Sequence, residues 1–252
     1  MNINAYLERI NYHDSRAATA ETLRKLQLAH LRTVPFENLS IHAQQPIVLD
    51  DDALFIKIVE RRRGGFCYEA NGLFAALLRA LHFDVFMLSA EVANTAGVFS
   101  PPFDHMALMV SLEQRWLVDV GFGESFREPL LLDEAREQVQ GNRVYRVFSE
   151  GDYFILMQRD NGSEWRAQYR FTLQPHEYAD YAERCRYHQT SPESHFTRSR
   201  ICSRATEEGR LTLSETHLIT TSETGGRQER PLTSQEEYAS LLREQFGVVM
   251  TN

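Results

Sequence analysis

The chain has 252 residues, 42% hydrophobic and 25% charged, with a formal net charge of −8. That length makes one large domain or two to three small ones and buries a core without disulfide staples, and the composition excludes a disordered or low-complexity chain. The acidic balance excludes a general nucleic-acid binder, because phosphate contacts need local positive charge.

No stretch approaches the roughly 18 apolar residues of a membrane span. The first ten residues carry Glu8 and no apolar run, so no signal peptide is expected. Cys67, Cys185 and Cys202 lack CxxC spacing. This predicts neither a disulfide framework nor a zinc site, and it points to a reduced, cytoplasmic compartment.

The first 83 residues read as helical. Thr19 is a candidate N-cap for a helix that buries Leu23 and Leu26, and Asp50 for one carrying Leu54 and Ile58. Between them, Pro35 pushes Val34 out of helical geometry, so residues 34–39 read as extended. Gly64 and Gly65 end the second helix and turn the chain into a third. It begins near Cys67 and keeps Leu73, Leu77, Ala80 and Leu81 at spacings of three and four.

From residue 84 the period changes to two. Phe86, Leu88, Ala90 and Val92 alternate in one strand, and Met106, Leu108, Val110 and Leu112 in the next. Trp116, Val118 and Val120 alternate in a third. More strands are predicted at 143–149, 152–158 and 164–172, the last two joined by a turn at Asn161-Gly162. A helix over 175–188 has Pro175 near its start. Strands at 200–205, 210–215 and 217–222 follow, and Ser234 with Glu237 forms a capping box for a helix over 235–246. Helices, then antiparallel strands, then a mixed segment predict an α+β chain in three parts.

Cys67 follows a glycine turn and precedes a helix, whose free N–H groups stabilise a thiolate and can donate to an oxyanion. Arg63 adds positive potential. A thiol below the ordinary cysteine range is therefore expected. Cys185 and Cys202 lack this setting and read as small buried hydrophobes. A thiolate nucleophile needs a base, and the base an orienting group. His105 stands out among the nine histidines because it opens an apolar strand after a Pro-Pro loop. Asp119 stands out because it interrupts an apolar strand, where a carboxylate is costly unless paired.

Strand register decides whether these two meet. A two-residue turn puts them on opposite faces. A three-residue turn over 112–114 pairs residue 107 with 119 and makes His105 and Asp119 diagonal neighbours, roughly 7–8 Å apart. The second register also sets Met106, Leu108 and Val110 against Trp116, Val118 and Val120, which favours it. Cys67, His105 and Asp119 then read as nucleophile, base and orienter. The competing readings are a core cysteine and a structural ion pair.

The segment Arg63-Gly64-Gly65-Phe66-Cys67-Tyr68-Glu69-Ala70-Asn71 resembles the active-site motif of the arylamine N-acetyltransferase family. Val34-Pro35-Phe36-Glu37-Asn38-Leu39 resembles that family's early motif. His105 after its proline loop and Val118-Asp119-Val120-Gly121-Phe122-Gly123 resemble its histidine and aspartate motifs. The order and spacing are similar, and the match is specific over about residues 30–125.

The resemblance implies an N-terminal helical bundle over 1–83 carrying the nucleophile and an antiparallel β-barrel over 84–185 carrying His and Asp. A C-terminal α/β lid over 186–252 completes the chain around a Cys-His-Asp, cysteine-protease-like site. It implies ping-pong acyl transfer, with acetyl-CoA as co-substrate and no permanently bound cofactor or metal. Cys67 would hold the acetyl group as a thioester until an arylamine, arylhydrazine or N-hydroxyarylamine takes it. Glu37 and Arg63 resemble a structural ion pair of the family. Phe36, Phe103 and Phe122 are candidates for an aromatic substrate pocket, and Gly121 and Gly123 for close backbone approach. Asp104 either acts on the neighbouring His105 or faces solvent. Two other readings share the triad: an amide synthase that releases a polyketide as a macrolactam, and a Cys-His-Asp hydrolase.

Overall fold

The computed structural model describes residues 1–160 and 162–250. Helix α1 (Ile3–Arg9) opens on Asn2, whose side chain accepts from the Ala5 N–H. Helix α2 (Ala20–Thr33) opens on Thr19 as predicted, with the threonine hydroxyl accepting from the Thr22 N–H at 3.2 Å. Val34 is extended, and the two-residue strand β1 (Phe36–Glu37) leads into the single turn α3 (Leu39–His42). Helix α4 (Asp51–Phe55) is capped by Asp50 as predicted and continues as a π turn over Ile56–Glu60.

Here the glycine reading needs correction. The chain leaves the π turn through Arg62, in the left-handed region at φ 52°. Gly64 and Gly65 supply room: a Cβ on Gly64 would lie 1.9 Å from the Pro35 carbonyl oxygen, and one on Gly65 2.6 Å from the Glu69 side chain. Helix α5 (Cys67–Ala80) follows, buried at every position from Cys67 to Leu78. A helix buried on all sides is a core element. Around it pack Tyr6, Leu23, Leu54 and Ile58 from the other helices, and Met106, Leu108 and Val110 from the first sheet.

That sheet contains β2 (Asp84–Val92), β3 (His105–Ser111), β4 (Arg115–Val118), β5 (Leu130–Leu131), β6 (Gln138–Gln140), β7 (Arg143–Glu150), β8 (Tyr153–Asp160) and β9 (Arg166–His176). All neighbours are antiparallel, in the order β5-β4-β3-β2-β9-β8-β7-β6. The edge strands β5 and β6 meet through glutamine side chains. Gln138 accepts from the Leu131 N–H at 2.8 Å and donates to its carbonyl at 3.1 Å, and Gln140 does the same for Glu128. Side-chain amides therefore close the barrel where the backbone ladder stops. Asn161, half of the predicted turn between β8 and β9, lies outside the described residues.

Pro175 is in a strand, not at a helix start. It lies opposite Leu88 beside a register shift between Leu88 and Ala90, an irregularity where a residue lacking an N–H is tolerated. Helix α6 (Tyr178–Thr190) begins two residues after His176, with the Asp180 carboxylate accepting from the Glu177 N–H. The single turn α7 (His195–Arg198) follows.

The second sheet contains β10 (Ile201–Ala205), β11 (Gly209–Ser214), β12 (His217–Ser222) and β13 (Arg227–Pro231). Its order is β1-β10-β11-β12-β13. Helix α8 (Gln235–Phe246) buries Tyr238, Leu242 and Phe246 against Cys202 and Leu213 of this sheet. Ser234 accepts from the Glu237 N–H as predicted, but the Glu237 carboxylate reaches back to the N–H and hydroxyl of Thr233. Two segments pack across the expected divisions of the chain. Strand β1 joins the C-terminal sheet, and α6 places Tyr181 and Cys185 in the core around α5. Among the described residues no helix is long and apolar enough to cross a membrane.

Candidate active site

Strands β3 and β4 adopt the three-residue turn. Ser111 pairs with Arg115 and Leu108 with Val118, while the Leu112 N–H donates to the Gln114 carbonyl at 3.0 Å. This register brings His105, at the start of β3, to Asp119, just past the end of β4. His105 Nε2 lies 2.7 Å from Asp119 Oδ2. A carboxylate only accepts, so Nε2 carries the proton and Nδ1 is left with a lone pair.

Both side chains are buried, and Asp119 has four donors. Oδ2 takes His105 and the Tyr169 hydroxyl at 3.1 Å. Oδ1 takes Asn71 Nδ2 at 2.9 Å and the Gly121 N–H at 2.8 Å. Such full satisfaction is what a buried carboxylate requires. Asn71 also donates to the Met106 carbonyl at 2.6 Å and accepts from the Val120 N–H at 2.8 Å. It thereby pins α5 to both strands.

Cys67 is the first residue of α5 and is buried. Gly121 lies against it: a Cβ there would stand 2.7 Å from the Cys67 Cα, so close approach demands glycine. Gly123 has a different reason, a φ of 85° with open space around it. Cys67 and His105 line one cavity of about 520 Å³. Burial pushes the Cys67 thiol well above its usual range, the Met106 N–H opposes this, and the Asp119 and Asp104 carboxylates add to the rise. The expectation of a lowered thiol counts the helix terminus and leaves out this burial. Cys185 and Cys202 are buried too, the former pushed up to about 12 by burial.

Behind Cys67 lies a chain of four charges. Arg63 binds Glu37 through Nε at 2.9 Å and Nη2 at 2.7 Å. The Lys57 ammonium lies 2.6 Å from Glu69 Oε1 and 3.9 Å from Glu37 Oε1. Glu69 Oε2 accepts from the Phe66 N–H at 3.2 Å, and Glu37 Oε2 from the Leu39 N–H at 2.7 Å. These bonds brace the segment entering Cys67. Burial raises the Glu69 carboxyl, whereas Lys57 and Arg63 outweigh burial at Glu37 and lower it.

Of the three candidate aromatics, Phe36 and Phe122 line the cavity, and the Phe122 ring meets the His105 ring edge-on at 5.0 Å. Phe103 is not among the lining residues. Its ring packs on His176 and Tyr181 in the helical core, while its carbonyl accepts from the Tyr68 hydroxyl. Asp104 lines the cavity, but Arg184 and His188 hold its carboxylate. They keep it well below the usual range despite burial, and it serves to tie this loop to α6.

Sequence reasoning leaves Asn71, Tyr169 and the far wall of the cavity without a role. That wall is one face of the second sheet, presenting Ser203, Arg210, Thr212, Ser214 and Thr221. Asn71 has a findable signal, since it lies four residues after Cys67 on the same helix face. Tyr169 has none, because it meets Asp119 from 50 residues away.

A family model described as N-acetyltransferase matches residues 19–252. The arylamine N-acetyltransferase of Escherichia coli is 34% identical over 249 residues, which cover 98% of this chain and 88% of that protein. The solved arylamine N-acetyltransferase from Salmonella typhimurium matches with a TM-score of 0.93 at 31% identity, covering 99% of this chain and 92% of its own. The Mycobacterium marinum arylamine N-acetyltransferase, solved in complex with CoA, matches at 0.89 with 31% identity, covering 98% and 93%.

Proposed function

The chain belongs to the arylamine N-acetyltransferase family, and on that premise we propose that it moves acetyl groups from acetyl-CoA to aromatic amines through a thioester on Cys67. The observation that carries this reading is the buried 2.7 Å His105–Asp119 contact opening on the same cavity as Cys67.

In the first half-reaction Cys67 Sγ attacks the thioester carbonyl while His105 Nδ1 takes the thiol proton. The Cys67 N–H, at the helix N-terminus, donates to the oxyanion. The C–S bond to coenzyme A breaks, and the departing thiolate recovers the proton from His105. In the second, the amine nitrogen attacks the Cys67 thioester, His105 accepts its proton, and the Cys67–acyl bond breaks. The proton then returns to Cys67. Asp119 holds the imidazole in the tautomer this needs and stabilises the imidazolium formed on the way. Glu37 and Arg63 support the turn before Cys67, and Phe36 and Phe122 flank the acceptor ring. The first 83 residues supply the nucleophile, residues 84–185 the base and its orienter, and residues 186–252 the cover. Three free cysteines suit a reducing, cytoplasmic setting.

Intact-protein mass spectrometry after mixing with acetyl-CoA, without acceptor, tests this. The expected result is one acetyl adduct on the wild type, absent in Cys67→Ala and discharged by an arylamine. No adduct, with Cys67 still alkylated readily, rejects acetyl-CoA as donor and favours a carrier-bound acyl thioester of the amide-synthase kind.

A further inference from the structure

Two cavities meet at Arg210. One holds Cys67 and His105; the other, about 540 Å³, adjoins it, and Glu124, Arg210, Thr221 and Arg227 line both. Strand register explains the grouping. Arg210 pairs with Ala205 on one side and Thr221 on the other, and Thr221 pairs with Arg227. Ser203 pairs with Thr212 in the next same-face row. Alternate residues share a face, so Arg210 rises from a surface of hydroxyls.

Arg210 is only 8% exposed, and Nη1 donates to the Ser203 hydroxyl at 3.0 Å. Among the described residues no carboxylate lies within 4.0 Å of its guanidinium. The other arginines lining the second cavity each have one: Arg32 with Glu207, Arg127 with Glu223, Arg143 with Glu124 and Arg227 with Glu229. Glu124, which lines both cavities, is thus already engaged. Arg210 therefore has one neutral hydrogen-bond partner and only the longer-range field of Glu124, a carboxylate it shares with Arg143, and burial outweighs that field and pushes the guanidinium down to about 10. The planar fork of arginine matches carboxylate and phosphate oxygens.

We infer that Arg210 anchors an anionic oxygen group of a substrate at the mouth of the Cys67 cavity. The inference rests on the transferase reading, which offers two sources for that group: a phosphate of the coenzyme, or a carboxylate on the acceptor. Ser203 and Thr212 bond each other at 2.7 Å, which leaves one of their two hydroxyl protons for a ligand, and the Thr221 hydroxyl adds a second donor beside it.

The test compares wild type, Arg210→Gln and Arg210→Lys. Calorimetry measures binding of CoA and of phosphate-free pantetheine. Turnover measures kcat/KM for 4-aminobenzoate and for uncharged 4-methylaniline. Arg210→Gln is expected to weaken the charged partner by about tenfold or more and spare its neutral counterpart, with partial recovery in Arg210→Lys. A selective loss for CoA identifies the phosphate, and a selective loss for 4-aminobenzoate the carboxylate. Equal losses for charged and neutral partners, or no loss, overturn the inference. If Arg210→Gln does not fold, Arg210→Lys keeps the charge without the fork. A smaller selective loss in it then supports the anchor, and none overturns it. CoA binding that depends on Arg210 in a protein that never acetylates Cys67 would sink the transferase reading and keep the anchor.

Discussion

Asp119 accepts four hydrogen bonds, one of them from His105, whose ring lines the cavity it shares with Cys67. The effect on Cys67 follows from two opposed forces. Burial raises the thiol. An imidazolium at His105, sharing the cavity, favours the thiolate. Removing His105 leaves only the Met106 N–H to oppose burial. In His105→Gln, alkylation of Cys67 by iodoacetamide should rise only above the ordinary cysteine value of about 8.5, whereas the wild type reaches half its maximal rate at lower pH. Coincident profiles would show that His105 is not the thiol's partner. The proposed triad is legible in the sequence because each member breaks a local rule: a cysteine after two glycines, a histidine opening an apolar strand, an acid inside one. Phe103 misleads because a phenylalanine next to the base looks the same whether its ring turns to the cavity or to the core.

At the scale of elements, the start of α5 is held from behind. Lys57 comes from the π turn, a helical form that recurs at functional sites, and its ammonium serves both Glu69 and Glu37. Lys57→Met would leave Glu69 buried without its counter-ion. The expected cost is about 3–5 kcal/mol of stability at pH 7, read from urea unfolding. Protonation relieves a stranded carboxylate, and the Glu69 carboxyl is already raised. The deficit should therefore narrow as pH falls into the carboxylate range. A deficit independent of pH would point to lost packing by the lysine stem. The Glu37–Arg63 half of this network is legible through the two motifs that contain it. Lys57 is not, because one lysine in an amphipathic pattern reads as a solvated charge. Strand β13 is illegible for a related reason: every residue in it is exposed, so no apolar alternation marks it.

For the whole molecule, the change of period at residue 84 reveals the order of helices and strands. What joins them is made by distant partners and leaves no periodic trace: β1 in the C-terminal sheet, the glutamines that close the barrel, and His30 at the centre of the helices. His30 is fully buried in α2, with Nδ1 3.0 Å from the Tyr6 hydroxyl of α1 and its ring edge-on to Phe74 of α5. Burial, with a smaller contribution from the Arg9 cation, lowers its pKa to about 3. Above the unfolded value of about 6.5 the ring is neutral in both states, and it contributes nothing to pH dependence. Below that value the unfolded chain takes up a proton that the folded protein refuses. Stability is therefore lost as pH falls from about 6.5 toward 3, at no more than about 1.4 kcal/mol per pH unit. In His30→Leu this slope should shrink, even though the variant is less stable at neutral pH because the Tyr6 hydroxyl loses its partner. Urea midpoints measured from pH 7.5 down to 5 decide the matter. Parallel slopes for the two proteins would place the acid sensitivity in the carboxylates and not at the meeting point of the three helices.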